Sequence, residues 1–175
     1  MKLLALSGSL RAGSINSALL RTAARLAPPD MPVLVYTGLG DLPLFNPDLE
    51  AHCPARVLAF QAAVAAADAL LIASPEYAHG VTGTIKNALD WLVSFEPFAY
   101  KPVAVLNSSG RSYVADAALR ETLKTMAANI IEPASVTIPL LGIHRDETGM
   151  LADAGVVRAL RTALAALRAA LAGAG

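Results

Sequence analysis

Residues 7–16 bring together side chains that could bind an anion. Small and hydroxyl-bearing residues surround one arginine there, and the segment leads into a predicted helix. Backbone N–H groups, hydroxyls and a guanidinium at a helix N-terminus are the groups that hold a phosphate. The segment therefore predicts a site for a terminal phosphate monoester. Its candidate ligands are Ser9, Arg11, Ser14 and Asn16, and Ser17 directly after it offers a further hydroxyl. In an alternative interpretation Ser14 or Asn16 only caps the helix, although a helix cap does not require a cation.

Better-known phosphate and nucleophile motifs do not match this chain. A Walker A loop requires a lysine directly after its second glycine, and Ser14 follows Gly13 here. The dinucleotide fingerprint G-x-G-x-x-G is interrupted by Ser9 and Leu10. The sequence also has no G-x-S-x-G nucleophile elbow. Residues 7–16 are therefore predicted to bind a phosphate without forming either of those nucleotide-binding loops.

A second segment, residues 74–91, could contact a flat heterocycle. One proline and two glycines predict a tight loop whose backbone amides and carbonyls are open to a ligand. Tyr77 in this loop could present a planar wall to the ring. An alternative is a plain connection from a strand to a helix, with Trp91 in the core.

The composition limits the kind of protein that can carry these segments. The chain has 175 residues, the length of one domain, and 55% of them are hydrophobic while 16% are charged, which excludes a disordered chain. Fourteen basic and fourteen acidic residues cancel, so no strong field favours nucleic acid or an anionic membrane. No apolar run reaches the ~20 residues that a membrane span requires. The single cysteine excludes an intramolecular disulfide and a metal site with several cysteine ligands. We therefore expect a soluble cytoplasmic protein.

Short apolar runs alternate with longer helical patterns along the whole chain. The predicted strands are residues 3–7, 32–36, 69–74, 102–107 and 130–138. The predicted helices are residues 16–26, 54–67, 84–94, 114–128 and 152–172, and residues 144–147 are expected to form a solvated turn.

This alternation predicts an α/β fold. We expect a doubly wound five-stranded parallel sheet in the order 2-1-3-4-5, in three layers, with residues 1–175 forming a single domain. Pro133 cannot donate to a sheet ladder, so the fifth strand should lie at an edge. In such a sheet, ligands bind beyond the carboxyl ends of the strands, which brings the loops after strands one, three and four together.

Three stretches of the sequence resemble one family. They are residues 8–16, the segment D-L-P-L-F-N-P-D-L-E at 41–50, and S-P-E-Y at 74–77 followed by K-N-A-L-D-W at 86–91. Together they look like the signature of the NAD(P)H-dependent FMN reductases, which are flavodoxin-like quinone, chromate and azo-dye reductases. The similarity covers residues 1–130, and its motifs lie in the family's order.

The resemblance implies a site for FMN. Its phosphate would be held by Ser9, Arg11, Ser14 and Asn16, its ring would be lined by Pro75, Glu76 and Tyr77, and Ser108, Ser109 and Gly110 would close the other side. The chain departs from the family at residue 78, where an alanine replaces the asparagine of many relatives.

The resemblance also implies the chemistry and the partners. Hydride would pass from NADPH or NADH through bound FMN to quinones or similar small electrophiles in a ping-pong reaction, with no catalytic protein residue and no metal. A homodimer or homotetramer is implied, with Glu76, Asp90 and Trp91 as interface candidates, and neither nucleic acid nor a membrane is expected as a partner. The alternative is a flavodoxin-like electron carrier or regulatory protein without reductase activity. Zero net charge disfavours a carrier, and Arg11 disfavours a protein that no longer binds flavin.

Overall fold

The computed structural model describes residues 1–140 and 146–173 of the chain. Its strands are β1 (Leu3–Ser7), β2 (Val33–Tyr36), β3 (Ala69–Ala73), β4 (Pro102–Asn107), β5 (Asn129–Ile130) and β6 (Val136–Thr137). Its helices are α1 (Ile15–Leu26), α2 (Ala55–Ala65), α3 (Gly83–Asp90), α4 (Tyr113–Thr125), α5 (Glu147–Ala152) and α6 (Ala154–Ala172).

The strands form one parallel sheet in the predicted order. β1 lies between β2 and β3, with Leu3 opposite Val33 on one side and Ala69 on the other. β4 follows β3, and β5 pairs with the first residues of β4. Both faces of β1 and β3 are buried, which explains why these strands consist of continuous apolar runs. The predicted doubly wound α/β architecture is confirmed.

Helices cover both faces of the sheet, because successive strand residues point to opposite sides. Leu3 and Ala5 of β1 face a core shared with α1 and α6. Leu4 and Leu6 face a second core shared with α2, α3 and α4. The three-layer prediction is therefore confirmed. Among the described helices, none is long and apolar enough to cross a membrane.

The predicted fifth strand is interrupted. A 3₁₀ turn at Glu132–Ala134 separates β5 from β6, so one continuous strand over residues 130–138 is wrong. Pro133 lies in that turn, where the N–H that it lacks is not required. β5 and β6 pair with opposite ends of β4, and the predicted edge position is confirmed.

The structure adds short elements that the sequence pattern does not predict. The long loop after β2 contains 3₁₀ turns at Gly38–Asp41 and Pro47–His52. Glu147, expected in a solvated turn, instead begins α5, whose N-terminus is capped by the Asp146 side chain through a 2.8 Å bond from the Gly149 amide. Residues 144 and 145 of that predicted turn lie outside the described residues.

Candidate functional site

The loops after β1, β3 and β4 enclose an open cavity of about 230 Å³ at the carboxyl edge of the sheet. We call it the main cavity. Nine of the ten predicted site residues line it: Ser9, Arg11, Ser14, Asn16, Pro75, Glu76, Tyr77, Ser108 and Ser109. Gly110 belongs to the same loop as Ser108 but does not line the main cavity, whereas Ile15 and Ser112, which were not predicted, do. The polar character of the loop after β4 is the sequence signal that could have identified Ser112.

The close approach of two of these loops depends on Gly8. Its amide donates a 2.8 Å hydrogen bond to the carbonyl of Ala73, at the end of β3. A Cβ at this position would lie 2.2 Å from Ser74 Oγ and 2.9 Å from Thr82 Oγ1. Only glycine therefore lets the loop after β1 lie directly against the loop after β3.

Side-chain hydrogen bonds hold the loop after β1 in place. Ser7 Oγ and Ser17 Oγ are 2.7 Å apart, and the Ser9 amide donates a 3.3 Å bond to Ser7 Oγ. Ser17 was predicted as a hydrogen-bond group for an anion, and its hydroxyl contacts Ser7 instead. Sequence reasoning missed Ser7, because its role depends on a contact between the strand end and the helix. Arg11 is exposed and forms no ion pair with the described part of the chain, so its guanidinium is open to an anion.

The first turn of α1 shows which residue caps the helix. Ser14 Oγ accepts a 3.2 Å hydrogen bond from the Ser17 amide, so Ser14 does cap the helix, which leaves open whether capping is its only role. Its hydroxyl proton can still be donated to a ligand. Asn16 does not cap the helix: its Oδ1 accepts a 2.9 Å bond from Ser108 Oγ, and no described residue accepts a bond from its amide nitrogen.

The loop after β3 turns sharply at two residues in the left-handed region. Ala78 has φ 50° and His79 has φ 58°. Tyr77 and Gly80 flank them and exchange two backbone hydrogen bonds of 3.1 and 3.0 Å. Two positive φ values inside a two-residue hairpin define a type I′ turn, which favours asparagine and glycine over alanine and histidine. The Tyr77 side chain stays 57% exposed at the mouth of the main cavity.

Glu76 uses both carboxylate oxygens inside the protein. Oε2 accepts a 2.9 Å bond from the Ala115 amide at the start of α4, and Oε1 lies 3.0 Å from His79 Nδ1. The hydrogen bond from the Ala115 amide is the main reason that the pKa of Glu76 lies below its usual range; burial opposes this shift, and His79 reinforces it. Glu76 therefore offers its main chain, rather than a free carboxylate, to a molecule in the main cavity.

The loop after β4 is shaped by Asn107. Its Oδ1 accepts a 2.9 Å bond from the Ser109 amide, and its Nδ2 donates a 3.1 Å bond to the Ser112 carbonyl. These bonds fold the loop back on the end of β4. As a result, three serine residues of the loop lie along the main cavity: Ser108, Ser109 and Ser112.

α3 is anchored to the long loop after β2. Trp91 Nε1 and Asn87 Nδ2 both donate to the Pro43 carbonyl, at 2.8 and 3.0 Å. Trp91 is 2% exposed, so the alternative that placed it in the core is confirmed, and it is wrong as a candidate interface residue. Lys86 and Asp90 form an ion pair on the outer side of the helix.

Comparison with known proteins identifies relatives of this chain. A family model described as NADPH-dependent FMN reductase matches residues 1–140. An NAD(P)H-dependent FMN reductase of Pseudomonas aeruginosa is 40% identical over 159 residues, which is 87% of this chain and 85% of the relative. A quinone reductase of Escherichia coli K12 is 39% identical over 113 residues, covering 62% of this chain and only 60% of the relative.

A solved structure agrees with these matches. The flavoenzyme NAD(P)H:(acceptor) oxidoreductase FerB from Paracoccus denitrificans superimposes with a TM-score of 0.80 at 26% identity, covering 98% of this chain and 97% of FerB. The family match spans all three loops of the main cavity. By this match over most of its length, and by the fold it shares with FerB, the chain belongs to the NADPH-dependent FMN reductase family.

Proposed function

We propose that this protein is an FMN-dependent NAD(P)H oxidoreductase that reduces quinones or similar small electrophiles in a ping-pong reaction. Overall, a hydride from NAD(P)H and a proton from solvent convert the quinone to a hydroquinone and leave NAD(P)⁺. The main cavity is the observation that carries this proposal, because it is lined both by groups that suit a phosphate and by a loop that suits a planar ring. The names of the Pseudomonas and E. coli relatives support the same activity.

The phosphate end of the main cavity fits a phosphate monoester. Arg11, Ser9, Ser14 and Asn16 supply a guanidinium, two hydroxyls and an amide at the N-terminus of α1. These groups can donate hydrogen bonds, and the helix end adds a partial positive charge. We assign these four residues to the FMN phosphate.

The ring end of the main cavity fits a planar heterocycle. Bound FMN supplies the redox chemistry, because its ring accepts a hydride from a nicotinamide and passes it to an acceptor. The chain's role is to hold the ring between two loops, with Pro75, Glu76 and Tyr77 on one side and Ser108 and Ser109 on the other. Hydrogen bonds from Ala115 to Glu76 and from Ser109 to Asn107 stabilise these loops, and no protein nucleophile is required.

We also propose that the protein forms a homodimer or homotetramer of single-domain subunits in the cytoplasm. Leu44 is 82% exposed and Val93 is 65% exposed. Leu44 adjoins Pro43, whose carbonyl accepts the hydrogen bond from Trp91 at the end of α3, and Val93 lies shortly after that helix. Exposed apolar side chains near the C-terminal end of one helix support a subunit interface there, with Asp90 at its polar margin. Light scattering after gel filtration measures the mass of the particle in solution and so tests the proposed oligomeric state.

A visible absorption experiment tests the proposed reaction. The purified protein is mixed with FMN, freed of excess flavin, and treated anaerobically with NADPH or NADH and then with a quinone. We expect retained flavin that loses its colour with the nicotinamide and regains it with the quinone. Retained flavin that neither nicotinamide bleaches would instead identify an electron carrier. A protein that retains no flavin and shows no flavin-dependent oxidation of NADPH or NADH would contradict the proposal.

A further inference from the structure

His79 is an exposed histidine that is held beside the main cavity. Its side chain is 80% exposed, yet Nδ1 lies 3.0 Å from Oε1 of Glu76, whose side chain is 12% exposed. Glu76 and Tyr77 line the main cavity, and the backbone of Tyr77 pairs with Gly80 to close the turn that carries His79. His79 is not part of the lining itself. Its ring therefore lies at the rim of the cavity and not inside it.

Two contacts fix the orientation of the His79 ring. Oε2 of Glu76 accepts a 2.9 Å hydrogen bond from the Ala115 amide, which holds the carboxylate against the start of α4. Because an ionised carboxylate only accepts hydrogen bonds, the Nδ1 atom that faces Oε1 carries the hydrogen. Nε2, on the other side of the ring, has no hydrogen-bond partner in the described part of the chain. An imidazole held in this way can donate a proton from its free nitrogen.

The backbone at His79 is one that histidine rarely adopts. Its φ of 58° lies in the left-handed region, where asparagine or glycine fits better. An asparagine at this position could also donate to Glu76 through its side-chain nitrogen. Histidine adds a second nitrogen further from the backbone and a ring that exchanges a proton near neutral pH. Strained residues concentrate at functional sites, and Nε2 is the group that distinguishes histidine from asparagine here.

We infer that His79 is a catalytic acid, whose Nε2–H binds the carbonyl oxygen of the quinone and protonates it. This inference rests on the proposed function, because the hydride of NAD(P)H must first reach the quinone through the flavin. The hydride adds to the quinone with its electron pair and leaves a negative charge on the oxygen atom. The Nε2–H bond then breaks, the proton moves to that oxygen, and the neutral imidazole recovers a proton from solvent, to which its ring is exposed.

Stopped-flow reoxidation of the reduced, FMN-loaded protein tests the proton transfer. One acceptor is 1,4-benzoquinone, and the other is ferricyanide, which takes one electron at a time and requires no proton. His79→Asn suits the left-handed backbone and keeps a donor for Glu76, but it removes Nε2. We expect this variant to lower the ratio of the benzoquinone rate to the ferricyanide rate about a hundredfold. His52→Asn, which changes an exposed histidine in the loop after β2, is the matched control and should leave the ratio unchanged.

Binding of 4-nitrophenol to the oxidised, FMN-loaded protein provides a measurement without turnover. Its phenol oxygen resembles the oxygen of the product hydroquinone, and this oxygen would share a proton with Nε2. Calorimetric titration at pH 7 should show about tenfold weaker binding to His79→Asn than to the native protein. His52→Asn should bind 4-nitrophenol as the native protein does.

Three results would overturn the inference. The first is an unchanged rate ratio in His79→Asn, with both rates either equally slowed or unaffected, and the second is undiminished binding of 4-nitrophenol. The third is a selective loss of the benzoquinone rate in Tyr77→Phe instead, which would make Tyr77 the proton donor. Failure of the proposed function itself is distinguishable, because neither NADPH nor NADH would then bleach the flavin of the native protein.

Discussion

Ser108 and Asn16 are joined by a hydrogen bond of 2.9 Å from the serine Oγ to the asparagine Oδ1. Ser108 follows β4 and Asn16 lies in the first turn of α1, and the intervening strand β3 separates β4 from β1 in the sheet. Both residues are buried. The bond therefore connects two walls of the main cavity and fixes their separation before any ligand enters.

Removing this bond should weaken both the fold and the site. Ser108→Ala leaves Asn16 Oδ1 buried without its donor, so we expect a loss of about 1–2 kcal/mol in the free energy of unfolding. The double variant with Asn16→Ala should show a coupling of at least about 0.5 kcal/mol in urea titrations. Thr125→Ala, which removes an exposed hydroxyl from α4, is the control. Strict additivity of the two site substitutions would show that the bond is energetically unimportant.

The assignment of Arg11 to the FMN phosphate predicts a specific loss of affinity. Arg11→Gln should weaken FMN about tenfold, because it removes a charge-assisted bond to the phosphate. Riboflavin lacks the phosphate, so its affinity should stay unchanged in the same variant. Quenching of flavin fluorescence measures the affinities for FMN and for riboflavin, and Arg25→Gln controls for the loss of a surface charge. Equal weakening of FMN and riboflavin would place Arg11 at the ring rather than the phosphate.

The sheet order and part of the main cavity were predicted from local patterns. The four phosphate ligands and Tyr77 followed from residue types, whereas the family resemblance supplied the remaining predicted residues, Pro75, Glu76, Ser108 and Ser109. β1 and β3 are buried on both faces, and the sequences of such strands are continuous runs of apolar residues. The loops that follow them must meet, since parallel strands end at one edge. Pro133 likewise indicated an edge, although not the turn that separates β5 from β6.

What the sequence did not predict depends on contacts between distant residues or on very short elements. Glu76 was expected to line the ring, but its carboxylate is bound by the Ala115 amide, 39 residues further along the chain. No local pattern encodes that pairing. α5 has six residues, too few for a helical period to be recognised. Trp91 was predicted both as a core residue and as an interface candidate, and the sequence could not decide between them because the deciding contact is a hydrogen bond to the distant Pro43.

The lowered pKa of Glu76 predicts a pH-dependent contribution to stability. Its usual value is 4.5, and the folded-state pKa lies below it. The carboxylate therefore stabilises the fold above that value, and this contribution is lost as the pH falls through the folded-state pKa. Glu76→Gln should be less stable than the native protein at pH 7, and the difference should shrink in urea titrations carried out below pH ~4.5. Glu121→Gln, an exposed glutamate of α4, serves as the control. A difference that stays constant with pH would contradict the role of the charge.

The type I′ turn predicts that a substitution at residue 78 can increase the stability of the protein. Alanine at φ 50° is strained, and asparagine tolerates the left-handed region better. Ala78→Asn should raise the free energy of unfolding by about 0.5–1 kcal/mol, whereas Ala78→Val should lower it, because a β-branched side chain fits this region poorly. Opposite shifts of the urea midpoint are the expected result. Shifts in the same direction would show that side-chain contacts, rather than the backbone, decide stability at this position.

Gly8 and Gly13 lie at the two ends of the same loop and should respond differently to alanine. At Gly8 the new Cβ would lie 2.6 Å from Ser74 Cβ and 2.2 Å from its Oγ, whereas at Gly13 no atom lies within 4 Å. Gly8→Ala should therefore cost about 1–3 kcal/mol of stability, and Gly13→Ala less than about 0.5 kcal/mol. The double variant Gly8→Ala with Ser74→Gly tests the clash directly. Ser74→Gly removes the two atoms nearest to the new Cβ, so it should recover part of the lost stability.

The same pair of substitutions should also affect flavin binding. Because the clash forces the loops after β1 and β3 apart, Gly8→Ala should retain less flavin, and the addition of Ser74→Gly should restore retention. An equal effect of alanine at both glycines would mean that chain flexibility, rather than the contact with Ser74, requires glycine in this loop.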